Sequence, residues 1–336
     1  MAYREKKILI VQTAFIGDAI LATAMVEKLA NAISCVSIDI LVRKGNEEIF
    51  KYNPHISTIL TWNKKQNKYR ELIHLLKIIR KNRYDIIINL QRFFSTGNLT
   101  AFSRAKMKIG FSKNPWSFCF HYAYKHRFDG GHEVDRNQQL IAFLTDSKAA
   151  KPKIYIPPKA FESVAQYKKA PYVCIAPASV WFTKQFPKKK WIEFVDCLPP
   201  HYKVYLLGSS SDSDLCTDIV KNTKNQGVEN LAGKLSLLES AALMCEAEMN
   251  YVNDSAPLHL CSATNAPVTA IFCSTIPEFG FGPLSDVSYI IQTEQKLACR
   301  PCGLHGKKQC PEGHFNCAES IEVKALLNTL NQSIIR

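Results

Sequence analysis

The sequence of 336 residues lacks any apolar run that approaches the roughly 18 to 20 residues needed to span a bilayer. Short repeats and low-complexity tracts are also absent, and the apolar, aromatic and charged fractions of 46%, 10% and 21% are those of an ordinary globular protein, which excludes the disordered and fibrous classes. The opening stretch from Lys7 to Met25 has the charged start and apolar runs of a secretory signal. However, Gln12, Thr13 and Asp18 interrupt the apolar region that such a signal needs. These absences predict a globular cytoplasmic protein.

Acidic residues are outnumbered by basic ones, 29 Asp and Glu against 43 Lys and Arg, which leaves a formal net charge of +14. A surplus of this size attracts anionic partners such as phosphates, nucleic acid or acidic lipid surfaces, without choosing among them. A nucleic-acid-binding protein is therefore one alternative, and its best segment is the mixture of aromatic and basic residues from Phe120 to Phe128. A strong salt dependence of nucleic-acid affinity would distinguish it.

The order of apolar segments predicts an α/β protein with two domains. In the first half, the buried strands KILIVQ, VSIDILV and DIIINLQ alternate with helical segments, and the alternation restarts at YVCIAPAS. Between the halves, residues 145–171 are rich in Lys and Pro and are predicted to form a linker. The economical architecture is a pair of Rossmann-like domains, with ligands held in a cleft at the carboxyl ends of the strands.

The turn after the first strand, T-A-F-I-G-D-A-I, lacks the G-x-G-x-x-G spacing that brings a pyrophosphate close to a dinucleotide-binding helix. A nicotinamide oxidoreductase is therefore disfavoured. NAD bound to the purified protein would restore that hypothesis. Asp18 stands where the next helix begins, which leaves two interpretations. It is either the N-cap of that helix or a carboxylate that takes a proton from an attacking hydroxyl.

Two loops of the second half have the composition of anion sites. In APASVWFTKQFPKKKW, Thr183 and Lys184 can offer a hydroxyl and an ammonium to a phosphate, and the alternative is an ordinary surface loop. In VNDSAPLHL, Asp254 and Ser255 precede a helix N-terminus, which attracts anions, although both residues also suit helix caps. His259 on that helix is either a core histidine or a contact to a phosphate or sugar.

A third loop, NLAGKLSLLES, places Gly233 and Lys234 ahead of Ser236 and Glu239. The S-x-x-E spacing predicts a capping box, so this segment by itself indicates the start of a helix.

The segment CRPCGLHGKKQCPEGHFNC has the spacing C-x2-C-x7-C-x3-H-x2-C. Its cysteines are Cys299, Cys302, Cys310 and Cys317. One interpretation is a small zinc knuckle, and the other is a group of reduced cysteines that packs a substrate loop without any metal.

Together these segments resemble the lipopolysaccharide heptosyltransferase family, glycosyltransferase family 9. The likeness rests on ILIVQTAFIGDAILATAM, APASVWFTKQFPKKKW, LAGKLSLLESAALM, VNDSAPLHLCSATNAPVTAIF and the cysteine-rich segment, in order and spacing. It implies an α/β GT-B fold, in which two Rossmann-like domains face each other across a cleft. Residues 1–165 would form the acceptor-binding domain, residues 166–320 the nucleotide-sugar-binding domain, and residues 321–336 a helix that returns to the first domain.

The resemblance also implies an inverting transfer of a heptose from ADP-heptose to the lipopolysaccharide inner core, without a cofactor or metal. Asp18 matches the family's G-D carboxylate and would be the general base. The implied donor-binding residues are Thr183, Lys184, Gly233, Lys234, Asp254, Ser255, Ala256 and His259. The leaving diphosphate would be stabilised by the lysine and the helix N-terminus.

Two positions depart from the family pattern. Ala256 replaces the glycine that usually follows the Ser or Thr, and its methyl group would hinder close approach of the backbone to a phosphate or hydroxyl. A transferase of the same fold that uses another ADP-sugar is therefore an alternative. Gln12 replaces the arginine of the usual R-x-x-x-x-G-D entry.

The implied partners are ADP-heptose, an inner-core acceptor built on Kdo, heptose and lipid A, and the anionic surface of the inner membrane. A basic protein would dock peripherally on the cytoplasmic face of that membrane without spanning it. Nucleic acid is not an expected partner.

Overall fold

The computed structural model describes residues 5–334, and the chain divides into two compact units, Met1–Tyr155 and Ile156–Arg336. The change of unit falls inside the segment predicted as a linker, upstream of the predicted domain boundary at residue 165. Among the described residues, no helix is both long and apolar enough to cross a membrane.

The first unit is a parallel sheet whose strands are connected mainly by helices. Its strands within the described residues are β1 (Lys6–Gln12), β2 (Val36–Arg43), β3 (Ile56–Trp62), β4 (Ile86–Asn89), β5 (Met107–Phe111) and β6 (Tyr122–Tyr124), in the order β3-β2-β1-β4-β5-β6. The helices are α1 (Ile16–Ala32), α2 (Lys68–Asn82), α3 (Phe94–Phe102) and α4 (Glu133–Gln138). From Ile8 to Val11, β1 is fully buried, as expected for a central parallel strand that is covered on both faces.

The second unit repeats this architecture. Its strands are β7 (Tyr172–Ala176), β8 (Lys203–Leu206), β9 (Val228–Asn230), β10 (Met249–Asn253), β11 (Val268–Phe272) and β12 (Ser288–Gln292), in the order β12-β11-β10-β7-β8-β9. The helices are α5 (Pro158–Val164), α6 (Lys188–Cys197), α7 (Ser213–Asn222), α8 (Leu237–Cys245), α9 (Ala256–Thr264), α10 (Asn316–Glu319) and α11 (Val323–Ile334). Helix α8 begins with the predicted capping box between Ser236 and Glu239.

Both sheets have the strand order of a doubly wound nucleotide-binding fold, and that order fixes where ligands bind. The order reverses between β1 and β4 in the first sheet and between β7 and β10 in the second. Open parallel sheets bind ligands outside the carboxyl ends of the strands at this switch point. The loops that follow these four strands are therefore the expected places for a functional site.

Helix α11 packs against α6 and β12, both in the second unit. It buries Val323, Leu326 and Leu330 in the core of that unit, and the Tyr251 hydroxyl donates a hydrogen bond to the Leu326 carbonyl at 3.2 Å. The return of residues 321–336 to the first domain stays a prediction, and residues 335 and 336 lie outside the described residues.

Candidate active site

Asp18 lies in the first turn of α1, directly after the carboxyl end of β1. The helix begins at Ile16 and its N-cap is Phe15, so the interpretation of Asp18 as the N-cap is wrong. The side chain is half-buried at the switch point between β1 and β4. The structure thus places the carboxylate where the fold binds ligands.

The surroundings of Asp18 raise the pKa of its carboxyl group to about 6. Burial is the largest cause, and the negative charge of Glu133 adds to it. The Arg92 charge and the backbone N–H groups of Asp18 and Phe15 oppose this increase. A carboxylate with this pKa is a better proton acceptor than an ordinary aspartate and is still mostly ionised above neutral pH.

Glu133, at the start of α4, is held by two side chains. His126 Nε2 lies 3.1 Å from its carboxylate and Arg136 Nη1 lies 3.0 Å from it. Burial alone would raise the pKa of Glu133, but these two hydrogen bonds lower it below its usual value. Because α4 packs against α1, Glu133 brings a fixed negative charge to the side of Asp18.

His126 also connects Glu133 to Arg92, whose Nη1 lies 3.1 Å from His126 Nδ1. A guanidinium can only donate, so Nδ1 accepts and the proton of the imidazole is on Nε2, which donates to Glu133. The ring packs edge-on against Phe111 and Phe128, which fixes its orientation. This charged cluster of Arg92, His126, Glu133 and Arg136 was not found from the sequence.

Gln12, the residue that departs from the family pattern, closes the turn before Asp18. Its side-chain oxygen accepts hydrogen bonds from the backbone N–H of Ala14, at 3.2 Å, and from the side-chain amide of Gln91. The residue is almost fully buried and connects the carboxyl end of β1 to the loop after β4. Its role in this chain is therefore to hold the turn.

A basic pocket of about 300 Å³ lies at the carboxyl ends of β2 and β3. It is lined by Arg43, Lys44, Gly45, Asn63, Lys64, Lys65 and Gln66. Burial, together with the charges of Arg43 and Lys68, lowers the pKa of Lys64 to about 8. The Lys64 ammonium donates to the Thr13 carbonyl at 2.5 Å, so the basic pocket adjoins the turn that carries Asp18. Four cationic side chains around one cavity favour a ligand with several negative charges.

In the second unit, the structure brings together two of the residues predicted to bind a donor. Lys184, from the loop after β7, forms an ion pair of 2.7 Å with Asp254, from the loop after β10. Both side chains are largely buried, with 14% and 7% of their surface exposed. Asp254 also accepts a hydrogen bond from the Thr275 hydroxyl at 2.6 Å, so it holds the lysine and does not cap α9.

Asn253 fixes the loop that carries Lys184. Its side-chain amide donates to the Pro177 carbonyl at 2.8 Å, and its oxygen accepts from the backbone N–H of Phe186 at 2.9 Å. The residue is fully buried at the end of β10. The strands β7 and β10 pair in parallel, and Asn253 extends that connection into the loop.

Thr183, predicted to contact the donor phosphates, is buried and acts as a junction between segments. Its hydroxyl accepts hydrogen bonds from the Lys307 backbone N–H at 2.7 Å and from the Ser274 hydroxyl at 3.0 Å. A methyl group on Gly306 would lie 3.0 Å from the same hydroxyl, and its positive φ of +74° also favours glycine. Contact between Thr183 and a phosphate stays a prediction.

The cysteine-rich segment is built into this site. The Arg300 guanidinium donates to the carbonyls of Cys273 and Thr275 at 2.7 and 2.8 Å, directly beside the partner of Asp254. Together with the bond from the Lys307 backbone N–H to Thr183, these contacts pack the segment against the loops after β7 and β11. Its role as a substrate loop stays a prediction.

The four candidate zinc ligands share one cavity. Together with His314, Cys299, Cys302, Cys310 and Cys317 line a space of about 310 Å³. Cys299 Sγ and His314 Nε2 are 3.8 Å apart. In residues 5–334, no group of three or more His, Cys, Asp or Glu side chains is placed to hold a metal ion. A zinc knuckle therefore stays the alternative interpretation of this segment, beside the predicted absence of a metal.

The remaining predicted donor residues are dispersed over the loops of the second unit. Ser255 is the N-cap of α9 but forms no side-chain cap, and Ala256 is the first residue of that helix. His259 is buried and meets the Phe281 ring edge-on. Lys234 is exposed.

Gly233 has a structural reason to be glycine. Its φ is +75°, and an added methyl group would lie 2.8 Å from the Ser210 backbone. Its predicted donor contact remains a prediction.

Two doubly wound parallel sheets, with a carboxylate at one switch point and a lysine at the other, match the architecture of the GT-B class of glycosyltransferases. The chain belongs to glycosyltransferase family 9, the heptosyltransferases, whose family model matches residues 72–314. This membership confirms the predicted class of enzyme and does not favour the nucleic-acid-binding or oxidoreductase alternatives.

Known proteins agree in sequence and in fold. Lipopolysaccharide heptosyltransferase 3 of Escherichia coli is 27% identical over 277 residues, which cover 78% of this chain and 82% of that protein. A family 9 glycosyltransferase structure from Veillonella parvula superimposes with a TM-score of 0.86 at 20% identity, covering 100% and 99% of the two chains. The structure of the E. coli heptosyltransferase WaaC with ADP-2-deoxy-2-fluoro heptose superimposes with a TM-score of 0.72 at 17% identity. The superposition covers 97% of this chain and 99% of that one. These likenesses confirm the predicted GT-B fold.

Proposed function

We propose that this enzyme transfers a heptose from ADP-heptose to the inner core of lipopolysaccharide, at the cytoplasmic face of the inner membrane. The observation that carries the proposal is the chemistry at the two switch points, a carboxylate with a raised pKa after β1 and a buried lysine after β7. Family membership and the lipopolysaccharide heptosyltransferases among the relatives support this substrate pair.

In the proposed reaction, Asp18 takes the proton of the acceptor hydroxyl as its oxygen attacks the anomeric carbon of the heptose. The carbon–oxygen bond to ADP breaks on the opposite face, which inverts the configuration, and ADP leaves with the bonding electron pair. Burial and the Glu133 charge make Asp18 basic enough for this task. A nearby carboxylate also stabilises the oxocarbenium-like transition state.

Lys184 is proposed to bind the diphosphate and to neutralise the charge that develops as ADP leaves. The ion pair with Asp254 and the Asn253 clamp hold the ammonium in place before the donor arrives. A lysine that is already oriented loses little conformational freedom on binding, and one carboxylate contact leaves other N–H groups for phosphate oxygens.

The acceptor is proposed to be anionic, and the basic pocket supports this assignment. An inner-core acceptor carries carboxylates and phosphates, and Arg43, Lys44, Lys64 and Lys65 offer four cations around one cavity. The Lys64 contact with the Thr13 carbonyl places this charge beside the turn of Asp18. The pocket would therefore hold an anionic group of the acceptor near the base.

The proposed function is tested by incubating the protein with ADP-heptose and a series of truncated inner-core acceptors, and measuring ADP release and product mass. We expect transfer to at least one acceptor, with inversion at the anomeric carbon. ADP-glucose and ADP-mannose provide matched donors, because Ala256 at the start of α9 leaves the sugar as the least constrained part of the proposal. Absence of transfer from every ADP-sugar would overturn the proposed function.

A further inference from the structure

The first unit exposes a group of aromatic side chains that the proposed chemistry does not use. Phe94 and Phe102 on α3 contact Trp116, with ring centroids 5.4 and 5.1 Å apart, and Trp116 stacks on Phe118 at 5.8 Å. We call these four residues the aromatic face. Phe94, Phe102 and Phe118 are 61%, 42% and 79% exposed. Single exposed apolar residues are ordinary, but rings that touch one another at the surface indicate an interaction site.

The aromatic face is held in a fixed shape. Asn114 is almost fully buried, and its amide donates to the carbonyls of Gln91 and Phe93 at 3.0 and 3.1 Å, while its oxygen accepts from the Trp116 backbone N–H at 3.0 Å. A methyl group on Gly97 would collide with the Asn114 side chain, so the glycine permits this close approach of the loop to α3. The exposed rings are therefore presented by an ordered scaffold.

The segment of the chain that carries the aromatic face contains charged residues of one sign. Residues 92–128 contain seven Lys or Arg and no Asp or Glu. Arg104 and Lys113 lie in the chain between Phe102 and Trp116, and both are exposed. Aromatic rings within a basic surface suit the interface of an anionic bilayer, where rings enter the headgroup layer and cations meet lipid phosphates.

The topology also places this surface beside the base. The strands β1, β4 and β5 are neighbours, and their carboxyl ends lead to Asp18, to Phe94 and to the loop of Trp116 and Phe118, respectively. A bilayer on the aromatic face would thus lie close to the edge of the sheet at which an acceptor is proposed to bind.

We propose that the aromatic face, with Arg104 and Lys113, is the surface by which this enzyme docks on an anionic lipid bilayer. This inference rests on the proposed function, because an enzyme that modifies a lipid-anchored acceptor has to reach that acceptor at a membrane. Docking brings the headgroup layer, and the sugars that project from it, to the Asp18 edge of the first sheet.

Vesicle binding tests the docking surface without any substrate. The full chain is sedimented with vesicles of phosphatidylethanolamine and phosphatidylglycerol, and with neutral vesicles of phosphatidylethanolamine and phosphatidylcholine. We expect binding to the anionic vesicles, lowered at least about tenfold by Phe94→Ser with Phe118→Ser. Arg104→Gln with Lys113→Gln should lower it by roughly fivefold or more and weaken its salt dependence.

A matched control is available on α2. Tyr69 and Ile73 are 75% and 58% exposed in the same unit, so Tyr69→Ser with Ile73→Ser removes similar apolar surface elsewhere. We expect this control to bind vesicles as the unchanged protein does. Two results would overturn the proposal. One is an equal loss of vesicle binding in the two double variants, and the other is unchanged vesicle binding in the variant that carries Phe94→Ser and Phe118→Ser.

Fluorescence of Trp116 gives a second measurement that survives poor folding of the serine variants. Brominated lipids should quench the emission of the unchanged protein, and Trp116→Phe should remove most of that quenching. Two other outcomes would also refute bilayer docking. One is that the protein forms a dimer, which dissociates when Phe94 and Phe118 are replaced by Ser. The other is that the protein binds RNA and not vesicles, and that the same replacements abolish the RNA binding.

Activity on two forms of the acceptor separates this proposal from the proposed function. The variant with Phe94→Ser and Phe118→Ser should transfer heptose normally to a deacylated, water-soluble acceptor. It should lose transfer to the acylated form of that acceptor in vesicles. If no form of the enzyme transfers to either acceptor, the proposed function fails, while the vesicle and quenching data still decide the docking surface.

Discussion

The carboxyl ends of β1 and β4 and those of β7 and β10 occupy equivalent places in two sheets of the same strand order. Each place holds an aspartate, and the two aspartates are kept in opposite conditions. Asp18 lies beside a second carboxylate, and its pKa is raised to about 6. Asp254 is bound to the Lys184 ammonium and to the Thr275 hydroxyl.

This difference shows how one fold can prepare two tasks. A carboxylate with a raised pKa is ready to accept a proton, whereas a carboxylate in a buried ion pair is committed to holding its partner. The comparison leads to predictions that change one site at a time, and they are ordered by the size of the expected effect.

The largest effect is expected from Asp18→Asn. The amide cannot take the proton of the acceptor hydroxyl, so kcat should fall by about 10²- to 10⁴-fold, while donor affinity is preserved. Asp146→Asn is the control, because Asp146 is an exposed carboxylate of the same unit that pairs with Lys28. Full activity of Asp18→Asn in a folded protein would refute the assignment of the base.

The same variant should stabilise the fold at alkaline pH. Because the folded state raises the pKa of Asp18 from 3.8 to about 6, ionising it costs stability as the pH rises through this interval. After a discount for partial exposure, we expect Asp18→Asn to raise the free energy of unfolding by about 1 to 2 kcal/mol at pH 8. Below pH about 3 the difference should vanish, since the side chain at position 18 is then neutral in both the folded and the unfolded states. Thermal unfolding across this range provides the measurement.

Lys184→Met is expected to weaken donor binding by about 10²-fold, measured by calorimetry with ADP and ADP-heptose. It also leaves Asp254 buried without its ammonium, which should lower the unfolding temperature. Lys184→Met with Asp254→Asn should recover stability without recovering ADP affinity, which separates the two roles of the pair. Lys188→Met is the control, because Lys188 is exposed and pairs with Asp218 on the surface. Unchanged ADP affinity in Lys184→Met would exclude the phosphate assignment.

Glu133→Gln should change the pH dependence of transfer more than its maximum rate. Removing this charge lowers the pKa of Asp18, so the acid limb of the kcat/KM profile should move to lower pH, with a rate loss of a few-fold above neutrality. Asp85→Asn is the control: it removes the same charge just before the amino end of β4 and should leave the acid limb of the kcat/KM profile unchanged. A Glu133→Gln profile that matches the unchanged enzyme would refute this positioning role.

Much of the fold was predictable because buried parallel strands appear in the sequence as short apolar runs. Strands such as β1 and β10 are buried along most of their length, and helix α8 begins with the expected cap. Strands β6 and β9 have three residues each, too few to show a period. Helix α3 contains Gly97 and exposes Phe94 and Phe102, so it lacks the amphipathic pattern of a buried helix.

The sites were predictable one loop at a time, but not as pairs. The composition of each loop indicated Lys184 and Asp254 separately, and their ion pair depends on the parallel pairing of β7 with β10. Glu133 acts on Asp18 from a distant point of the sequence, and the contact exists only because α4 packs against α1. No local spacing contains that information, which is why the charged cluster was missed.

The smallest predicted effect concerns the basic pocket, and it extends the comparison to a group with a lowered pKa. Lys64 is charged below pH about 8, so an anionic acceptor should bind more weakly as the pH rises through that value. Lys64→Met removes one of the four cations of the basic pocket, so it should raise the acceptor KM about twofold at pH 7 and leave ADP affinity unchanged. Lys64→Arg stays charged and should abolish the alkaline loss of affinity while keeping most of the binding. An acceptor KM that is insensitive to both substitutions would exclude the basic pocket from acceptor binding, and the base would then act on a group held elsewhere in the first unit.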